Sequence, residues 1–292
     1  MTAALAGPAS ADWTTNGERV YASSINGFFS RPDGRGGLLL GVNDDRTNTT
    51  RKFYAQHVDS SGARLVGWPL DGLPIAAPSQ DATPTDMVAD GVGGAFGCWM
   101  LNSYPSGRKY DVWIQRFDAS GRPAPAWPDS GVMVAAKPQD ELLPILCDDS
   151  RGGVFVAWQD IPRERALVDF YPRDIRIQRF TGAGRVVPGW PDSGIALTRA
   201  PGDHELNQMI PDGTGGAYLG WNDDRTTPGV HHVYVQHVAA DGQLVAGWSE
   251  GGVRACDDPS LEFLWNQSRH AMIRDGNGGL ILVWQDNRSG AG

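Results

Sequence analysis

Basic clusters, long apolar runs, helical periodicity and paired cysteines are all missing from this 292-residue chain. Lys and Arg number 25 against 34 Asp and Glu, a formal net charge of −9, and the cations form no patch. Nucleic acid is therefore excluded as an expected partner, because phosphate binding needs clustered positive charge. No apolar stretch approaches the roughly 20 residues of a membrane-crossing helix, so the chain is not expected to be membrane-spanning. The three cysteines, Cys98, Cys147 and Cys256, are an odd number. They read as buried free thiols, although Cys98 and Cys147 could approach one another. No CxxC or HxxxH spacing marks a metal site. GxSxG, HExxH, P-loop and dinucleotide fingerprints are absent as well, which removes the commonest motif-borne chemistries.

What the chain has instead is a repeat. Gly-Gly followed by an apolar run recurs five times, with second glycines at Gly37, Gly94, Gly153, Gly216 and Gly279, spaced 57, 59, 63 and 63 residues apart. Such periods mean blades, solenoid turns or arrays. One copy reads DGTGGAYLGWNDDR, a variable loop, HVYVQHVAADG, LVAGW and GGVRAC. Asp-Gly with further glycine between apolar runs is a tight-hairpin signal. AYLGW, VFVAW and LILVW are short runs suited to buried strands, whereas KFYAQHV, DVWIQRF, DIRIQRF and HVYVQHV alternate as half-exposed strands do. A short fourth strand follows, as in GVMVA, GIALT and GVRAC.

Four strands per unit make a small antiparallel sheet, and radial closure protects the sheet edges. The expectation is an all-β, five-bladed β-propeller forming a single domain over 1–292, with repeats at 23–80, 81–139, 140–202, 203–256, and 257–292 plus 1–22. The fifth blade is then shared between the termini, with Trp13 matching Trp127. Neither terminal piece holds a third strand of the YVQR type, so the incomplete fifth blade offers an edge for self-association. The opening MTAALAGPASADW ends in Ala-Ser-Ala before Asp12, like the end of an export signal, so a secreted or cell-surface location is expected.

Trp221-Asn-Asp-Asp-Arg225 with Tyr234-Val-Gln-His237, and Trp158-Gln-Asp160 with Ile177-Gln-Arg179, resemble the units of bacterial secreted β-propeller repeat proteins, DGxGGxxxxWxDxR followed by DIYxQR. The resemblance covers nearly the whole chain and implies secretion or surface display. It brings no catalytic residues. The second unit departs from it, with Leu101 and Ser103 where other copies have Asp and Arg.

Comparison of the copies separates scaffold from site. Trp99, Trp158, Trp221 and Trp284 share one repeat position, and Trp13, Trp68, Trp127, Trp190 and Trp248 another. Both sets read as inter-blade packing, with a ring of sugar-stacking platforms as the alternative for the second. Asp44, Asp160, Asp223 and Asp286, with Arg46, Arg225 and Arg288, read as Asp-to-Arg pairs that organise each loop. Calcium is the alternative there, and no other cofactor is expected. Gln56, Gln115, Gln178 and Gln236 are expected to satisfy backbone groups.

Positions that differ between copies carry the functional expectation. Asp86, Glu205, Asn207, Gln208, Arg269 and His270 lie on the strands preceding each DGxGG, which would line a central channel. Asp86, Glu205 and His270 are the catalytic candidates of a glycoside hydrolase that uses carboxylates at the channel mouth. Loop aromatics Phe170, Tyr171, Phe263 and Trp265, together with Trp113, Asn207, Gln208 and Arg269, are the ligand-binding candidates. The main reading is a binding module for carbohydrate or a surface polymer. A glycan-active enzyme and a self-assembling surface protein are the alternatives.

Overall fold

The computed structural model describes residues 19–22, 25–44, 51–77, 81–102, 110–135, 137, 140–161, 173–256 and 270–285. All regular structure among them is β. The first sheet comprises β1 (Gly27–Pro32), β2 (Leu38–Asp44), β3 (Lys52–Val58) and β4 (Leu73–Pro74) in sequential order. The second holds β5 (Ala82–Ala89), β6 (Ala95–Asn102), β7 (Tyr110–Phe117) and β8 (Val132–Met133). The third holds β9 (Asp140–Asp148), β10 (Val154–Ile161), β11 (Asp174–Phe180) and β12 (Ile195–Ala196), and the fourth β13 (His204–Pro211), β14 (Ala217–Asp223), β15 (His232–Val238) and β16 (Val253–Arg254). β17 (His270–Arg274) and β18 (Leu280–Trp284) form a two-stranded sheet. Every pairing is antiparallel.

The DGxGG turns form because their aspartate binds the backbone. Asp212 Oδ1 accepts from the amides of Thr214 and Gly216, and Asp33, Asp90, Asp149 and Asp275 do the same two and four residues on. The second residue of the turn takes a left-handed φ of 74–85°, which glycine adopts at no steric cost; in the third unit Ser150 is held there, at 54°.

Consecutive sheets stack with their first strands side by side, β1 against β5, β5 against β9, β9 against β13 and β13 against β17. Apolar clusters fill the spaces between sheets: Phe53, Trp68, Ala95 and Phe117 between the first two, Phe96, Trp127, Val156 and Phe180 between the next, and Phe155, Trp190, Leu219 and Val238 between the third and fourth. Trp68, Trp127 and Trp190 each reach into the following sheet, donating Nε1 to the carbonyls of Ala119, Gly182 and Ala240 at 2.9, 2.9 and 3.2 Å. Their buried rings and these bonds make them inter-sheet packing, and no stacking platform is left on them. Trp248 is half-buried, and Trp13 lies outside the described residues.

Trp99, Trp158 and Trp221 are fully buried and lie over Gly131, Gly194 and Gly252 of their own sheets. The first unit has Val42 in that column. There Tyr21 takes the place of the indole, its ring over Gly72 and its hydroxyl donating to Asp44. Residues 19–22 are fixed on the first sheet by the bonds from Ala22 N to Leu70 O and from Gln56 Nε2 to Val20 O.

Candidate functional site

In the second, third and fourth units the first strand slips register opposite the buried tryptophan. Pro84 pairs Trp99 but Asp86 pairs Cys98, and Leu206 pairs Trp221 but Gln208 pairs Gly220. In the third unit the slip places Leu143 and Pro144 opposite Trp158. β1, which faces Val42 instead of tryptophan, runs in unbroken register. Such bulges bend a strand and re-aim side chains.

Together with β1, the bulged strands line a cavity of about 340 Å³ formed by Arg31, Asp86, Ile145, Leu146, Asn207, Gln208 and Met209. Four different sheets contribute, so the site exists only through their stacking. Asp86 is 3% exposed, with Oδ1 2.7 Å from Arg31 Nη2 and accepting from the Met87 amide, while Oδ2 accepts from the Leu146 amide at 3.0 Å. Burial pushes the Asp86 carboxyl up, against the opposing pull of Arg31 and the two amides. Behind it, Cys98 Sγ lies 3.2 Å from Thr85 Oγ1, and burial, reinforced by the Asp86 charge, holds its thiol well above the usual range. Gln208 spans to the next sheet, accepting from Met272 N at 2.6 Å and donating to Met272 O at 3.1 Å. Asn207, the bulged residue, donates Nδ2 to Glu205 O.

Of the residues expected from the sequence, Asp86, Asn207 and Gln208 thus come together. Glu205 and His270 are not among those lining the cavity. Glu205 stands opposite Asn222 in the ladder. The His270 ring packs on Gly220 of the fourth sheet, and burial lowers its pKa. Of the trio Asp86, Glu205 and His270, Asp86 alone lines this cavity. Trp113 is half-buried and packed on the first inter-sheet cluster, and its column faces Met133 of the short fourth strand. Phe170, Tyr171, Phe263, Trp265 and Arg269 lie outside the described residues.

Arg31 was missed from sequence, although its column offered a signal: the other copies have Val88, Cys147, Ile210 and Ile273 six residues before the second glycine. Asp86 and Gln208 also share a column, with Phe29, Ile145 and Ala271 in the other units.

Among the described residues no group of three His, Cys, Asp or Glu side chains could hold a metal ion. Asp-to-Arg pairing in the DDR loop is found at Asp223 with Arg225; Asp160 instead pairs with Lys137 at 2.8 Å, and Asp44 with Tyr21. Arg46, Asp286 and Arg288 lie outside the described residues. A recurring pairing that the sequence did not disclose joins the turn aspartate of each of the first four units to the residue after its strand-three glutamine: Asp33 to His57, Asp90 to Arg116, Asp149 to Arg179 and Asp212 to His237. The glutamines Gln56, Gln115, Gln178 and Gln236 donate to the carbonyls of Pro69, Pro128, Pro191 and Ser249, as expected. Cys98, Cys147 and Cys256 are free thiols, the first two buried.

No protein-family model matches the chain. No curated protein matches it either. Among solved structures, an endo-arabinase from Bacteroides thetaiotaomicron VPI-5482 is 13% identical, with 91% of this chain and 90% of that chain covered and a TM-score of 0.48. An N-acetylgalactosamine deacetylase from F. plautii is 10% identical over 77% of this chain and 69% of that chain, with a TM-score of 0.45. An endo-arabinanase from Bacillus licheniformis is 14% identical over 91% of this chain and 96% of that chain, with a TM-score of 0.38. Likeness of this degree carries no residue roles across.

Proposed function

We propose that the chain is a five-bladed β-propeller acting as a binding module, and that its axial cavity takes a polyhydroxylated ligand, a sugar unit of a glycan or surface polymer. Side-by-side packing of five successive first strands supports the ring. The observation that carries the ligand reading is the convergence of a guanidinium, a carboxylate and two side-chain amides, from Arg31, Asp86, Asn207 and Gln208, in one cavity. These planar donors and acceptors suit adjacent hydroxyls, and Ile145, Leu146 and Met209 supply apolar wall for a ring face. Asp86 and Gln208 are already engaged in holding neighbouring strands, which leaves Arg31, about half exposed, and the bulged Asn207 as the adaptable contacts.

Titration of the protein with a panel of neutral oligosaccharides tests this reading. Saturable binding is expected for at least one member, weakened about tenfold or more by Asn207→Ala or Arg31→Met, in line with the loss of one to two hydrogen bonds. Silence across the panel, or binding indifferent to both substitutions, refutes it.

A second reading, a glycan-active enzyme, draws on Asp86 alone. Its carboxyl is raised by burial, as a general acid requires. Hydrolysis with two carboxylates needs a second acidic group across the bond, and among the described residues Asp86 is the one carboxylate lining the cavity. Turnover of a bound oligosaccharide that disappears in Asp86→Asn while binding persists is the result that favours it.

A further inference from the structure

The residue after the strand-three glutamine is arginine in the second and third units but histidine in the first and fourth. Both arginines bridge consecutive sheets. Arg116 donates Nε and Nη2 to Asp90 Oδ2 at 3.1 and 2.8 Å, and its Nη1 crosses to Gly182 O at 2.9 Å. Arg179 binds Asp149 Oδ2 and Ala240 O in the same way, at 3.0, 2.7 and 2.7 Å. The two carbonyls are those that also accept from the indoles of Trp127 and Trp190.

At the junction of the first and second sheets the same parts recur without the guanidinium. Asp33 is the carboxylate, and Ala119 O, bonded by Trp68 Nε1, is the carbonyl. His57 Nε2 donates to Asp33 Oδ2 at 3.0 Å, and the ring, shorter than an arginine side chain, bonds nothing beyond it. Its Nδ1 is buried with no hydrogen-bond partner among the described residues. Between these groups lies a cavity of about 190 Å³, walled in part by Asp33, Arg35, His57 and Asp59 of the first unit and by Gly93 and Ala119 of the second. Arg35 in this wall is compatible with a second cation beside it. It lies over Gly93 as Arg151 lies over Gly215, and at that third junction Arg151 and Arg179 cross together.

We propose that this cavity is a binding site for a guanidinium group, seated between Asp33 and Ala119 O as Arg116 and Arg179 seat their own at the next two junctions. The guest donates to the Asp33 carboxylate and to Ala119 O, and in the neutral imidazole His57 Nδ1 is a further acceptor. Asp59 adds a second negative charge, so the carboxylates of the wall outnumber its one arginine. Charge-assisted bonds to oxygens held at fixed positions favour a planar fork of donors. The site shares no lining residue with the axial cavity.

Calorimetric titration of the full chain with methylguanidinium, N-acetylarginine amide and the uncharged N-acetylcitrulline amide tests the site. One-to-one binding in about the millimolar range is expected for both guanidinium compounds, and binding at least about tenfold weaker for the citrulline, the worth of the charge-assisted bonds. Tighter binding of the arginine compound assigns the site to an arginine side chain, and equal binding assigns it to a small free guanidine. His57→Arg brings a guanidinium into the cavity on the protein's own chain, so it should abolish binding and raise the melting temperature. Asp59→Asn keeps an acceptor for the amides of Ser61 and Ala63 but removes the charge, and should weaken binding about threefold. No binding by either guanidinium compound overturns the proposal, as does equal binding by the citrulline or binding undiminished in His57→Arg.

Discussion

Tyr21 donates its phenolic hydrogen to Asp44 Oδ2 at 2.6 Å, the bond that Trp221 Nε1 makes to Asp223 at 2.9 Å in the fourth unit. Asp44 and Asp223 occupy the same repeat position, two residues after Val42 and Trp221. One aromatic donor is thus supplied from within the sheet in one unit and from a preceding segment in the other.

Val42→Trp alone should destabilise, since the new indole meets Tyr21 over Gly72; overpacking costs about 1–3 kcal/mol. Tyr21→Ala alone should also destabilise, by about 2–4 kcal/mol, through the lost packing and the weakened shell of the buried Asp44. The double variant should recover at least 1 kcal/mol or so over the sum of the singles. Additive losses in urea denaturation mean that the two rings do not compete for one place.

Ser150→Gly and Ala126→Gly are expected to stabilise, each by up to about 1 kcal/mol. Ser150 has φ 54° where the matching residues Gly34, Gly91, Gly213 and Gly276 lie at 74–85°, and Ala126 has φ 73° where Gly67, Gly189 and Gly247 lie at 90–93°. Relief of left-handed strain outweighs the extra unfolded-state entropy of glycine by that margin. Lower melting temperatures for both variants contradict the strain.

Trp127→Phe should cost about 1–3 kcal/mol and Trp127→Ala about 3–5 kcal/mol. The phenylalanine loses the bond to Gly182 O, and the alanine empties the space beside Phe96. Oligosaccharide affinity should be unchanged in Trp127→Phe; a loss of affinity without a loss of stability restores the platform reading.

Asp212 should contribute acid-sensitive stability. Burial works against its charge, but His237 and the amides of Thr214 and Gly216 outweigh it and hold the carboxyl at about 2, below the ordinary 3.8. A depressed folded-state pKa stabilises above the unfolded value, and the contribution is lost as the pH falls through the folded one. The stability difference between the protein and Asp212→Asn should therefore shrink between about pH 4 and pH 2. A difference constant across that range contradicts the linkage.

The strands and turns were legible because glycine, aspartate and the period-two segments repeat in fixed order, so five copies vote on each element. The bulges were not, since one extra residue between Pro84 and Asp86 leaves no compositional mark. Tyr21 escaped notice because its role depends on a contact across 23 residues with Asp44. The rule that function lies where copies differ found Asp86, Asn207 and Gln208, yet two of these three also hold the next sheet's backbone. Variation between copies therefore marks the seams of the stack as well as its cavity. The same rule, applied to the column of Arg31, would have completed the lining.

The bulges separate two things that a regular strand keeps coupled. On an unbroken ladder, inserting a residue shifts every later side chain to the opposite face. Asn207 stands outside the count of ladder rungs, with Leu206 and Gln208 paired to consecutive residues of β14. The same is true of Thr85 between Pro84 and Asp86. Substitution at Asn207 alters what the cavity wall offers while the pairing around it keeps its phase, so the chemistry of the cavity can diversify at nearly constant architecture.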